Sequence, residues 1–248
     1  PYPKAVAVAP DGSCFVQAGE RVVAVSPTGA TGQRLPAGQL VQPQALAVGE
    51  GGALYAVDST RHRVVTIAPD GTVTPLTGPD AGFKLPAALL RDGPTLYVAD
   101  FSTLRKLDLA DPAHPVTLLA GAPDAGTADG PLGTNRIADP RALALHGGHL
   151  YVGDFYKVRR LVLATGQMET VAGAEAGDVD GAGGPTGPAR FGRIQGLAVV
   201  GDTLYVADRE FGKLRAIALT PPGFPTRTVL ADLAEPGGLG ADAQGRLY

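Results

Sequence analysis

The sequence predicts an all-β fold assembled from one repeated unit of four short antiparallel strands. Three observations predict it. A strand of the form Leu-Tyr-Val-Ala-Asp recurs at a near-regular interval along all 248 residues. Every interval holds the same succession of short apolar runs separated by Gly- and Asp-containing turns. Glycine (35) and proline (22) are far above ordinary usage, which in a periodic chain means many tight turns rather than disorder. Short strands in repeats of about 40–45 residues are the mark of β-propeller blades.

The recurring strand reads Leu54-Tyr55-Ala56-Val57-Asp58, Leu96-Tyr97-Val98-Ala99-Asp100, Leu150-Tyr151-Val152-Gly153-Asp154 and Leu204-Tyr205-Val206-Ala207-Asp208. Cys14-Phe15-Val16-Gln17-Ala18 is a degenerate first copy, and Leu247-Tyr248 begins a last one. From Phe15 through the tyrosines the spacings are 40, 42, 54, 54 and 43 residues. The two long spacings are the same period plus a loop of about a dozen residues.

Within each period an apolar run comes first, such as Ala45-Leu46-Ala47-Val48 or Gly196-Leu197-Ala198-Val199. Small apolar residues on both faces suit the crowded innermost strand. A turn follows, such as Pro10-Asp11-Gly12 or Gly201-Asp202, whose Gly and Asp tolerate positive φ. The Asp-ended strand comes next, then a basic strand such as Arg63-Val64-Val65-Thr66-Ile67, then a fourth strand such as Val116–Gly121. No segment carries a long helical period, and no room is left for the crossover helices of a parallel sheet.

Five complete units are expected at about 4–41, 42–85, 86–137, 138–193 and 194–233, with a partial unit over 234–248. The expectation is therefore one propeller domain across 1–248 with six blades, the last incomplete in this chain. Completing that blade would take roughly 20–30 further residues, so the chain is expected to continue past Tyr248.

The motifs resemble NHL repeats. The tightest match is Ala189-Arg190-Phe191, then Gly196–Val199, then Leu204–Asp208, then Lys213-Leu214-Arg215. It follows Ala172-Gly173, Ala176-Gly177 and Asp180-Gly181, which look like the spacer of bacterial and teneurin-like NHL proteins. The family often carries Asn three residues after the strand-ending Asp; here Arg61, Thr103, Lys157 and Phe211 stand there. The resemblance implies a propeller and leaves function open, since NHL propellers include enzymes, RNA binders and interaction modules.

Composition narrows the function classes. Net charge is −3 and pI about 5.8, which argues against a partner held by bulk positive charge. No run approaches the ~18 apolar residues of a membrane helix. The single cysteine, Cys14, sits in an apolar run and reads as a small core residue.

Propeller topology then sorts residues between faces. With the first strand running down, the second-to-third loops and the blade connections share the upper face. That face is expected to hold Arg61, His62, Phe101, Phe155, Tyr156, Lys157, Arg190, Arg209 and Phe211, a set rich in the aromatic and Arg anchors of interfaces. The strand-ending Asp58, Asp100, Asp154 and Asp208 are each followed five or seven residues on by Arg63, Arg105, Arg159 or Arg215, as a repeated structural ion pair would require. Asp178-Val179-Asp180-Gly181 is the one weak metal candidate, because it begins like a calcium loop but lacks the later ligands. His146-Gly147-Gly148-His149 falls in a turn on the opposite face. No catalytic residue and no cofactor is expected.

The reading is a non-catalytic binding scaffold that works through its loop face, with a protein or small-molecule partner. Two alternatives stay open: a metal-dependent propeller enzyme of the lactonase or lyase kind, and RNA binding, with nucleic acid disfavoured by the charge.

Overall fold

The computed structural model describes residues 4–40, 43–220 and 223–248. Among these residues lie five four-stranded antiparallel sheets, each with its strands in chain order. Blade 1 comprises Ala5–Val8, Cys14–Ala18, Arg21–Val25 and Thr31–Leu35, and blade 2 Pro43–Val48, Leu54–Asp58, Arg63–Ile67 and Val73–Pro75. Blade 3 comprises Pro86–Asp92, Thr95–Asp100, Thr103–Asp108 and Val116–Gly121. Blade 4 comprises Pro140–His146, His149–Asp154, Lys157–Val162 and Gln167–Ala172, and blade 5 Ile194–Val200, Thr203–Asp208, Lys213–Ala218 and Thr226–Leu230. The first strands of successive blades touch one another and surround a common axis. No helix among the described residues is long and apolar enough to cross a membrane.

The expectation of six blades with an incomplete last one is corrected: the structure has five complete four-stranded blades. Residues 234–248 add no sheet. They carry a hairpin turn closed by one bridge, Ala241 to Leu247, with the Tyr248 N–H donating to Gly240 O at 2.9 Å. The physical reason is local. Gly237-Gly238-Leu239-Gly240 stands where other units have a run such as Ala-Leu-Ala-Val, and glycine has neither side chain to pack nor strand propensity. Instead this stretch fills the space between the first strands of blades 5 and 1. The Gly238 N–H donates to Lys4 O (3.2 Å), and a Cβ on Gly196 would meet Gly237 O at 2.5 Å.

The core lies between blades rather than within them. One cluster joins blades 4 and 5 through Tyr151, Val171, Phe191, Leu204, Val206 and Ile217; another joins blades 3 and 4 through Leu104, Ile137, Leu150, Leu161 and Met168. Blades 1 with 2 and 2 with 3 meet in the same manner. Each fully buried Leu, Ile or Val contributes about 1.5–3 kcal/mol, so removing the face of one blade strips its neighbour as well. Between blades the packing also demands small residues. At Gly153, where sister blades carry Ala99 and Ala207, a Cβ would come within 2.6 Å of Ile194 Cγ2.

The strand-ending aspartates are buried and make the repeated ion pairs the sequence predicts. Arg63–Asp58 spans 3.3 Å, Arg105–Asp100 3.6 Å, Arg159–Asp154 3.0 Å and Arg215–Asp208 3.6 Å. Three of the carboxylates also grip the chain entering their own blade. Asp100 accepts the Lys84 and Leu85 N–H groups (2.9 and 2.7 Å), Asp154 those of Ala138 and Asp139 (2.8 and 2.9 Å), and Asp208 that of Gly192 (3.2 Å). Burial pushes the Asp154 and Asp208 carboxyls above the ordinary range despite these donors.

Arg159 is fully buried and serves both Asp154 and Asp129. Arg159→Met leaves two carboxylates uncompensated and is expected to lower stability by about 3–5 kcal/mol in urea titration, far more than the exposed control Lys106→Gln. Burial raises the Asp242 carboxyl, but the Arg246 and Gln244 N–H groups and the Arg246 and Tyr248 side chains outweigh it, holding the pKa at about 2 against 3.8. A lowered carboxylate pKa contributes stability that is complete above 3.8 and is lost as pH falls through about 2. Amide exchange at Tyr248 should therefore accelerate over that window, and Asp242→Asn should abolish the pH step.

Candidate functional site

The upper face is built from tight corners. In blades 3 and 4 only two residues, Phe101-Ser102 and Phe155-Tyr156, join the second strand to the third. Such two-residue corners require positive φ, normally supplied by Gly or Asn. Here Phe101 (φ 52°) and Phe155 (φ 59°) adopt it, at a cost of order 1–3 kcal/mol for a bulky residue. In blades 2 and 5 the corner has four residues, and the positive φ falls on His62 (52°) and Gly212 (59°). Blade 5 thus uses the relaxed residue where blade 2 strains a histidine.

The corners of blades 3, 4 and 5 are held from below. The Phe101 N–H donates to Leu85 O (3.2 Å), the Phe155 N–H to Asp139 O (3.1 Å) and the Arg209 N–H to Arg193 O (3.0 Å). Each corner is thereby latched to the blade connection that the buried aspartate already grips. The aromatic rings themselves stay outside: Phe101 is 43% exposed, Phe155 38% and Phe211 36%. Three successive blades therefore present a phenylalanine at the same corner. Lys84 lies over the Phe101 ring (5.7 Å), Arg193 over Phe155 (5.7 Å), and Tyr156 tilts against Phe155 (5.1 Å). Phe211 lies on Gly192, where any Cβ would strike its ring at 2.9 Å.

The other predicted residues are placed as follows. Arg61 turns inward onto Asp58 at 2.9 Å, and Arg209 pairs with Glu235 at 2.7 Å. Lys157 opens the third strand of blade 4, opposite Asp154 in the ladder. Arg190 belongs to the insertion after blade 4, where its guanidinium donates to the Gly187 and Ala189 carbonyls.

That insertion and its counterpart after blade 3 are clasps laid along the next blade. In the first, Gly130 bridges Met168, and Asp129 accepts from Arg159 (2.8 Å), the Thr170 N–H (2.8 Å) and Thr170 Oγ1 (3.1 Å). In the second, Gly181 bridges Thr226, and Asp180 accepts from Arg215 (2.6 Å), the Thr228 N–H (2.8 Å) and Thr228 Oγ1 (3.2 Å). Burial raises the Asp180 carboxyl, but these donors dominate and leave it below its ordinary range. Asp178 gives both oxygens to Lys213 (2.6 and 2.7 Å). Asp178 and Asp180 are thus engaged by cations of blade 5. Among the described residues no three His, Cys, Asp or Glu side chains group as metal ligands.

Sequence reasoning missed the polar residues at the upper ends of the innermost strands. Lys4, Gln44, Arg141 and Gln195 precede their apolar runs by one position and ring the upper mouth of the axial channel, together with no carboxylate. Below them Val6, Leu46, Leu89, Leu143, Leu197 and Leu239 form an apolar waist, and a wider cavity of about 510 Å³ opens beneath. Beside the mouth, between blades 3 and 4, a pocket of about 310 Å³ is walled by Leu85, Ala87, Phe101, Ala138 and Pro140, with Asp139 and Arg141 as its charged members. The signal existed in the sequence: a polar residue interrupts the apolar run at one equivalent position in four units.

No family model matches the sequence, and no curated protein matches it. Solved structures do. The chain is similar in fold to a structure from a nidogen/laminin complex, with a TM-score of 0.69 and 16% identity over 99% of this chain and 82% of that one. It is similar to a streptogramin B lyase, with a TM-score of 0.66 and 12% identity over 99% of this chain and 89% of that one. It is also similar to an auxiliary nutrient binding protein from Bacteroides thetaiotaomicron, with a TM-score of 0.74 and 13% identity over 98% of this chain and 64% of that one. Identities this low show the β-propeller fold alone.

The strained corners yield a stability prediction. If Phe101 and Phe155 serve a surface role, Phe101→Gly and Phe155→Gly relieve the positive φ and leave thermal stability unchanged or raised by about 1 kcal/mol. If the rings merely cover strand ends, the same changes lower stability by about 2 kcal/mol or more. Thermal melts of the two variants separate these outcomes.

Proposed function

We propose that this chain is a non-catalytic binding module, of the NHL-like kind its motifs resemble, that engages a partner through the upper loop face of blades 3, 4 and 5. The observation that carries this reading is the trio Phe101, Phe155 and Phe211: exposed aromatics at one corner of successive blades, two held in a strained conformation. Strain that the surrounding structure sustains, coupled with apolar rings left in water, points to selection for contact rather than for stability. Similarity to the nidogen/laminin and nutrient-binding structures is consistent with a binding role on this scaffold.

The face's cations favour this over RNA binding. Arg61 and Arg209 each sit beside an acid (Asp58 and Glu235), which reduces the positive charge available to a phosphate backbone. The engagement of Asp178 and Asp180 by Lys213 and Arg215 likewise leaves the metal-dependent alternative without a ready ligand set.

The test is selection of binders from a displayed random-peptide library against the native protein. Selected peptides are expected to lose about tenfold or more in affinity toward the Phe101→Gly, Phe155→Gly, Phe211→Gly triple variant. Peptides that bind both proteins equally would place the recognition surface elsewhere and sink the reading.

A further inference from the structure

The pocket between blades 3 and 4 has a chemistry of its own. Both its walls are set rigidly: the Asp100 carboxylate holds the Leu85 N–H on one side, and Asp154 holds those of Ala138 and Asp139 on the other. Leu85 and Phe101, both large and apolar, stay exposed at its rim. Its volume, about 310 Å³, lies at the small end of ligand sites, which are mostly apolar with a few placed polar groups.

The polar group here is Arg141. Its Nε donates to Asp139 Oδ1 at 2.7 Å, and among the described residues no acceptor meets its two Nη groups, although the side chain is only 27% exposed. Asp139 is shared, since Arg193 approaches its other oxygen at 3.9 Å. Two guanidiniums thus face one carboxylate, with the Lys84 ammonium over Phe101 nearby. Arg141 also lines the axial mouth with Lys4, Gln44 and Gln195, where no acid stands. The local surplus is positive, and the unengaged Nη pair has the fork geometry that matches a carboxylate.

We propose that this pocket binds a small organic carboxylate with an apolar body: the carboxylate on the Nη fork of Arg141, the body against Leu85, Phe101 and Pro140. The proposal deepens the loop-face reading and rests on it, naming one ligand class for one part of that face.

The probes are 3-phenylpropionate, its neutral amide 3-phenylpropanamide, and acetate, each titrated calorimetrically into the native protein. The acid is expected to bind with a dissociation constant of about 0.1–1 mM. The amide should bind at least about tenfold more weakly, and acetate, lacking the body, should show no saturable heat. Arg141→Gln should cost the acid about tenfold while leaving the amide unchanged, and Phe101→Gly should weaken both. Lys106→Gln, on the far side of blade 3, serves as the folded control. Equal binding of acid and amide, unaltered acid binding by Arg141→Gln, or no saturable binding of the acid at about 10 mM would each overturn the proposal. Should Arg141→Gln misfold, the acid-to-amide ratio on the native protein decides alone. Peptides that still lose affinity on the Phe155→Gly, Phe211→Gly variant would keep the loop-face reading alive after such a failure.

Discussion

Each of blades 2 to 5 hangs on a carboxylate buried at the end of its second strand. Asp58, Asp100, Asp154 and Asp208 are almost wholly removed from water, and each is paired with an arginine of its own third strand. Burying both charges gains little net stability, because desolvation consumes most of the attraction. Its value is geometric. An unpaired carboxylate at this depth is intolerable, so the chain entering blades 3, 4 and 5 must bring its N–H groups to that point.

The rest of the upper face depends on that anchorage. Once the connection into a blade is pinned, its carbonyl accepts from the first residue of the corner above, and the corner is locked in turn. So over-determined a turn holds Phe101 and Phe155 at positive φ. The same pinning sets the walls of the pocket between blades 3 and 4, which leaves the Arg141 fork presented rather than collapsed. Blades 4 and 5 add a second layer of the same logic, with Asp129 and Asp180 each clamping an arginine and a threonine from outside. The long insertions therefore act chiefly as fasteners for the blades that follow them.

Much of the architecture was legible because it repeats. The Leu-Tyr-Val-Ala-Asp strand, its basic successor and its turn glycines report local periodicity and local charge pairing, which a single chain displays directly. The number of blades was not legible. Leu247-Tyr248 imitates the start of another Asp-ended strand, but a sheet needs a ladder of partners, and Gly237–Gly240 fills axial space without building one. The path of the insertion that carries Arg190 was not legible for a related reason: it is set by Thr226 and Arg215, residues far along the chain.

The sequence by itself determined that this protein is a propeller of four-stranded blades with buried Asp–Arg pairs and aromatic corners. Those features follow from alternation, spacing and turn chemistry, all of them local. Only the tertiary structure decided that there are five blades. It also brought Leu85 and Phe101 of blade 3 to face Arg141 of blade 4, and it turned the insertions into clasps. These outcomes depend on how separate repeats press together around one axis, where contacts join residues tens of positions apart and no period in the chain encodes them.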